Sequence, residues 1–245
     1  MPDWNPAEII SPTPRRLALS LYQRLITDEV WATQRTEYGY RDVRPHPLMV
    51  TFGGHPYINV RACFNSFIPA SIPDDLAVRL VNFYLDLLID QPHLHDKVEF
   101  EVVFTCLDFN FSAASQRLLD HGFSVADVET LRSSLAEITQ NAPTRCQEEL
   151  DQIAKLDERF NLIMSADLDP LARAFALIED CKKFGTLPFA HLARTAFVAN
   201  SLLRSLDQAG ITSREQTESF MRSINTVSGS FESDGWQVAE GTLSW

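Results

Sequence analysis

The amino-acid sequence predicts an α+β fold, with a small antiparallel sheet and helices in the N-terminal half and an all-helical C-terminal half. Three observations carry that expectation. Apolar and polar residues alternate over residues 57–67 and 98–105, the period-two pattern of half-buried strands, and the run 48–52 reads as a further strand ahead of a turn. The segments between them repeat apolar residues every three to four positions, as amphipathic helices do. From Ser112 onward the helical period is almost the only one present.

The elements follow in order. Leu17, Leu21, Leu25 and Val30 recur at helical spacing and predict a first helix from Arg15 to about Gln34, broken at Tyr38-Gly39-Tyr40-Arg41. Leu48 to Phe52 predicts a strand that enters the turn Gly53-Gly54-His55-Pro56. In the run from Tyr57 to Phe67, Ile58, Val60, Ala62 and Phe64 fall on one side. Tyr57, Asn59, Arg61, Cys63 and Asn65 fall on the other. After Pro73-Asp74-Asp75, the stripe Leu76, Leu80, Phe83, Leu87 and Leu88 predicts a helix. Val98, Phe100, Val102 and Phe104 then alternate with Glu99, Glu101, Val103 and Thr105, and the three strands are expected to share one sheet.

In the second half, Ser124 precedes a stripe running from Val125 to Ile138. Pro143 opens a helix to about Met164, and Pro170 opens another to Lys183. Gly185 and Pro188 separate that helix from one striped by Phe189, Leu192, Ala196, Phe197 and Leu203. Thr212 with Glu215 reads as the capping box of a last helix ending near Val227. The chain thus divides into an α+β lobe over 1–110, a helical lobe over 111–227 and an irregular tail over 228–245.

Composition bounds the function. With 245 residues, 45% of them hydrophobic and 22% charged, the chain is of ordinary globular make-up and long enough for a sizeable core. No apolar run approaches the roughly 20 residues of a membrane-spanning helix. The start, Met1-Pro2-Asp3-Trp4-Asn5, lacks the pattern of a signal peptide, so the expected compartment is the cytoplasm. Cys63, Cys106, Cys146 and Cys181 are far apart and form no metal-ligand spacing, which suits reduced thiols. A net charge of −12 with no basic run argues against nucleic acid. Only four lysines stand beside 17 arginines, and guanidinium forks suit two-point recognition of carboxylates and phosphates.

The polar side of the second and third expected strands is the richest in chemistry. It offers Tyr57, Asn59, Arg61 and Asn65 opposite Glu99 and Glu101, donors and acceptors able to clamp a small polar molecule. The plainer alternative is a solvated sheet face with cross-strand charge pairs, each worth roughly 0.2–1 kcal/mol. At the N-terminus, Asn5 and Pro6 suit a helix cap followed by the first helical position. His93 and His95 lack a third ligand and read as a loop, so no metal site is expected. The sequence contains no GxxxxGK[ST], GxGxxG or G-x-S-x-G motif.

Several segments, in order, resemble a known family. They are Asp3 to Ile10, Leu17 to Tyr22, Gly39-Tyr40-Arg41, Pro56 to Arg61, Phe64 to Pro69, Leu94 to Glu101 and Phe184 to Ala190. Over most of residues 1–227 they resemble the acceptor-side middle region of phosphoenolpyruvate-synthase-like, PEP-utilising kinases, and are similar to the glutamine kinases of capsular polysaccharide synthesis. The resemblance implies a module that presents a small polar acceptor, an amino acid such as glutamine being one instance. It implies partner domains in cis or in trans: an ATP-grasp domain holding ATP and Mg, and a swivelling domain bearing a phosphohistidine. No segment of this chain resembles either, so it is expected to hold no cofactor, to be a fragment or split product, and to bind without turning over alone.

The resemblance also implies substrate-binding roles for Asn5, Glu8, Arg41, Tyr57, Asn59, Arg61, Asn65, Glu99 and Glu101, with no catalytic residue assigned. Arg41 and Arg61 would hold a carboxylate or an incoming phosphoryl group. Glu99 or Glu101 would bind an ammonium or polarise a nucleophilic amide or hydroxyl. Two positions depart from the family pattern: Ser11 stands where glycine is expected, and His55 where a polar amide is. The competing expectation is a non-catalytic interaction module whose helical lobe docks partner domains.

Overall fold

Alternation alone does not make a strand, and most of the second and third expected strands is helical in the computed structural model. It describes residues 1, 4–224 and 226–242, the side chains of Trp4 and Ser228 excepted. The sheet is one hairpin, β1 (Met49–Phe52) and β2 (His55–Ile58), paired antiparallel with Met49 opposite Ile58 and Phe52 opposite His55. Gly53 and Gly54 close it with φ of +59° and +85°, values that suit the two-residue turns of hairpins. The chain is therefore a helix-rich α+β protein, with its one sheet in the N-terminal half.

The second expected strand stops at Ile58. The side chain of Asn59 accepts a hydrogen bond from the Ala62 amide at 3.3 Å and starts α4 (Val60–Asn65). Val60 and Phe64, four residues apart, satisfy helical spacing as well as alternation; Phe64 is fully buried and Val60 packs against the same core. The third expected strand is a π-helical turn over Val98–Val102, closed by the Val103 amide donating to the Val98 carbonyl at 3.0 Å. Val98 and Val102, four residues apart, face the core, which leaves Glu99, Phe100 and Glu101 for another helix.

Before the hairpin run α1 (Trp4–Ile10), α2 (Arg16–Tyr22) and α3 (Val30–Tyr38). The single helix expected from Arg15 is thus interrupted, by a π-helical turn at Gln23–Thr27. Asn5 and Pro6 lie inside α1 rather than at its cap. Gly39 ends α3 at φ +110°, and a Cβ there would sit 3.3 Å from Ile138. α5 (Asp74–Asp90) has two aspartates in its first turn, favourable at a helix N-terminus, and buries Leu76, Leu80, Phe83 and Tyr84.

The helical series continues with α6 (Phe111–Ala114), α7 (Gln116–Asp120) and α8 (Val125–Asn141). Ser124 and Asp127 form a reciprocal capping box on α8. A 3-10 turn holding Pro143 leads into α9 (Cys146–Ser165), and Asp169 caps α10 (Pro170–Asp180). Gly185 and Pro188 do not break the chain: a π-helical turn at Cys181–Thr186 passes straight into α11 (Leu187–Gln208). The wider turn accommodates the missing N–H and the ring of Pro188. α12 (Arg214–Ser223) is capped by Ser213 with Gln216, one residue after the expected pair. The tail expected to be irregular contains α13 (Val227–Ala239), capped by the Thr226 hydroxyl.

The main core gathers Phe64, Phe67 and Ile68 with Leu80 and Tyr84 of α5 and Val102 of the π turn, and then Leu118, Leu131 and Leu135 from α7 and α8. It runs across residue 110, so the two expected lobes share it. A second cluster of Tyr38, Tyr40, Cys106, Ile138 and Val198 joins α3 and α8 to α11. Among the described residues, no helix is long and apolar enough to cross a membrane.

Candidate functional site

Glu99, Phe100 and Glu101 lie in sequence on the π turn, and all three meet one face of α11. Glu99 pairs with Arg194 at 2.7 Å, Phe100 stacks on Phe197 with ring centres 5.2 Å apart, and Glu101 lies 3.7 Å from Arg204. Positions 194, 197, 201 and 204 are three, four and three residues apart, the spacing of a single helix face. The contacts extend inward as a ladder. Arg204 lies over Phe100 at 4.9 Å, Arg194 lies between Phe197 at 5.3 Å and Phe67 at 5.1 Å, and Arg35 of α3 covers Phe67 at 3.9 Å. Such cation–π contacts are strongest where the guanidinium is desolvated, as Arg35 and Arg194 are.

The ladder fixes the charge of Glu99. Burial works to raise its pKa, but the Arg194 guanidinium, by charge and by hydrogen bond, overrides burial and holds the carboxyl below the usual range. On the other partner, burial opposes the Arg194 charge, and Glu99 more than compensates, so its basicity rises. Behind the pair, burial pushes the Tyr40 phenol up, and its hydroxyl donates to the Thr105 carbonyl at 2.6 Å.

In front of the ladder is a cleft of about 160 Å³. The π turn and the segment after it contribute Glu99, Glu101, Thr105, Cys106 and Asp108. α7 contributes Arg117, and α11 contributes Ser201, Arg204 and Gln208. Burial pushes the Asp108 carboxyl up against the backbone amides that bond it, and lowers the basicity of Arg117. Burial likewise raises the Cys106 thiol, which keeps it protonated and a poor nucleophile. The lining therefore offers carboxylates, guanidinium groups and hydroxyls, groups that suit a small polar molecule.

Of the residues singled out in the sequence, Glu99 and Glu101 line this cleft, and Asn5, Glu8, Arg41, Tyr57, Asn59, Arg61 and Asn65 do not. Asn5 accepts from the Tyr22 hydroxyl, and Glu8 is exposed. Arg41 donates to the Ile72 carbonyl and pairs with Asp74 at 2.7 Å. Tyr57 is half-buried against Phe52. Asn59 is spent on capping α4 and on the Pro47 carbonyl. Arg61 donates to Asn82 at 3.1 Å, and Asn65 to the Arg61 carbonyl at 2.9 Å. Arg61 was expected to face the two glutamates across paired strands; without a third strand that face does not form, and both carboxylates turn to α11.

Sequence reasoning missed Arg194, Arg204, Arg117 and Ser201. A signal was present for α11, where arginines at 194 and 204 flank Phe197 on one helical face. It missed His191 as well. That ring is buried 2.8 Å from Glu149 and 3.4 Å from Glu37, and so ties α3, α9 and α11 together. His93 and His95 lie in and beside a 3-10 turn at the surface, with His95 bonded to the Pro92 carbonyl. Ser11 and His55, the two positions singled out as unexpected in the sequence, each take part in local backbone structure. Ser11 adopts φ +83°, the left-handed region that favours glycine, and His55 bonds the Pro12 carbonyl at 3.0 Å. Comparison with protein-family models, with curated proteins and with solved structures found no match to this chain.

Proposed function

We propose that the chain is the acceptor-binding segment of a phosphoenolpyruvate-synthase-like, ATP-dependent phosphotransferase, working in the cytoplasm. The observation that carries this reading is that Glu99 and Glu101, nominated by the resemblance, line one polar cleft together with Arg117 and Arg204. A lining of both signs suits a zwitterion, so an amino acid such as glutamine is the acceptor class we favour. Glu99, held ionised, would receive an ammonium or polarise a nucleophilic amide. ATP and Mg would sit on an ATP-grasp domain, and the phosphoryl group would arrive on the histidine of a swivelling domain. Catalysis would then rest on positioning and charge rather than on a nucleophile in this chain.

The test is binding without turnover. In thermal-shift and calorimetric titrations, the isolated chain should bind a small polar metabolite and hydrolyse no ATP, and Glu99→Ala should abolish the binding. ATPase activity that a substitution within this chain removes would sink the proposal.

A second reading, an interaction module that docks partner domains, is favoured by a separate observation. Phe160 and Met164 on α9, and Leu171 and Phe175 on α10, are exposed large apolar side chains, each pair spaced four residues apart. Under this reading Glu99→Ala together with Arg61→Ala leaves the phosphotransfer of the assembled enzyme unchanged.

A further inference from the structure

Arg41 and Arg61 were the expected anion contacts, yet neither lines the cleft. Two other arginines do. Arg117 uses two of its five N–H groups on carbonyl oxygens, those of Glu101 at 2.6 Å and Val102 at 3.1 Å. Its Nε is buried without a partner, and among the described residues no carboxylate pairs with it. Its guanidinium lies 4.4 Å from the centre of the Phe104 ring. A half-buried guanidinium whose hydrogen bonds go only to carbonyls, with the Glu101 carboxylate acting on it from beyond ion-pair distance, is short of close counter-charge. The lowered basicity that burial imposes on Arg117 has the same sense.

Arg204 stands at the same cleft. Its one acidic neighbour among the described residues, Glu101, is 3.7 Å away, beyond hydrogen-bond reach, and both side chains are 46% exposed. The contrast with Arg194 is sharp, since Arg194 is buried and bonded to Glu99 at 2.7 Å. An entering anion could take over Arg204 without breaking a hydrogen bond, whereas Arg194 is committed.

We infer that Arg117 and Arg204 form an oxyanion-binding contact in this cleft, for a carboxylate or a phosphoryl group of a small ligand. Arg117 is the fixed half, braced on Phe104 and on the end of the π turn. Arg204 is the mobile half, swinging from Glu101 to the ligand. The contact deepens the acceptor-site reading above and rests on it for its biological meaning, but its chemistry can be tested alone.

The experiment follows the Nε–Hε signals of arginine side chains by 15N NMR in the intact chain. Sodium phosphate, sodium acetate and L-glutamine are titrated in turn at constant ionic strength. The expected result is a saturable shift of Arg117 and Arg204, with the exposed Arg222 unmoved. Arg204→Gln, a surface change, should weaken it by about tenfold, as the loss of a charge-assisted contact does. Response to phosphate alone identifies a phosphoryl group as the source, and response to acetate and glutamine identifies a carboxylate. No saturable response to any of the three overturns the inference. So does a response that Arg222 shares, or one unchanged in Arg204→Gln. Phosphate or acetate bound here, with no metabolite bound anywhere, would keep this contact and sink the acceptor reading. A metabolite bound away from these arginines would do the reverse.

Discussion

At the scale of single residues, the pair Glu99–Arg194 sets both charge and stability. Their side chains are 25% and 7% exposed, so either one left alone is a charge largely withdrawn from water. Arg194→Met should therefore cost about 3 kcal/mol in urea denaturation, the usual range for breaking a buried pair. The pH dependence has a definite sign. The folded carboxyl lies below its unfolded value of about 4.3, so its contribution is present above that pH and is lost as pH falls through the lower folded value. Glu99→Gln should flatten the acid side of the stability profile, a difference that denaturation at pH 3 and pH 6 would reveal. Ser11 offers a change of opposite sign. Its φ of +83° burdens any residue with a Cβ, so Ser11→Gly should stabilise by about 1 kcal/mol, reduced a little by the lost hydrogen bond from the Thr13 amide. An unchanged melting temperature would count against strain at that position.

At the scale of elements, two helix starts were legible locally. Ser124 ahead of an apolar stripe foretold α8, and Pro170 foretold α10, because a cap or a helix-starting proline acts through its immediate neighbours. Ser124→Ala should accordingly cost about 1 kcal/mol in thermal or urea unfolding, even though Asp127 keeps its pair with Arg79. The strand run 57–67 failed because Val60 and Phe64, four residues apart, serve a short helix as well as a strand, and Asn59 decides between them by capping the helix. The run 98–104 failed for a related reason. Alternation put Glu99 and Glu101 on one side and Phe100 on the other, whereas a π turn brings all three to α11. Glu99 and Glu101 were thus legible as site residues while their arginines were not. Those partners lie about a hundred residues away, and nothing local in the chain links the two segments. The outer pair Glu101–Arg204 is half-exposed and long, and removing it with Glu101→Gln should change stability by no more than about 0.5 kcal/mol.

At the scale of the molecule, a core that spans residue 110 makes the two expected lobes one packed body over the segments it joins. The cleft sits on that body where three parts of the chain meet: the π turn with the segment after it, α7, and α11. Such a site is held by packing from both halves of the sequence, so it should be lost if the chain is cut near residue 110. Separate expression of 1–110 and 111–245 should yield no binding from either piece. The central claim is that this cleft, not the arginines of α4 and the loop before the hairpin, receives a small polar acceptor. Amide-shift mapping of the intact chain against L-amino acids and simple sugars tests it most directly. Saturable shifts concentrated on residues 99–108, Arg117 and residues 194–208 of α11 are expected. Shifts centred instead on Arg41, Asn59 and Arg61, with residues 99–108 silent, would contradict it.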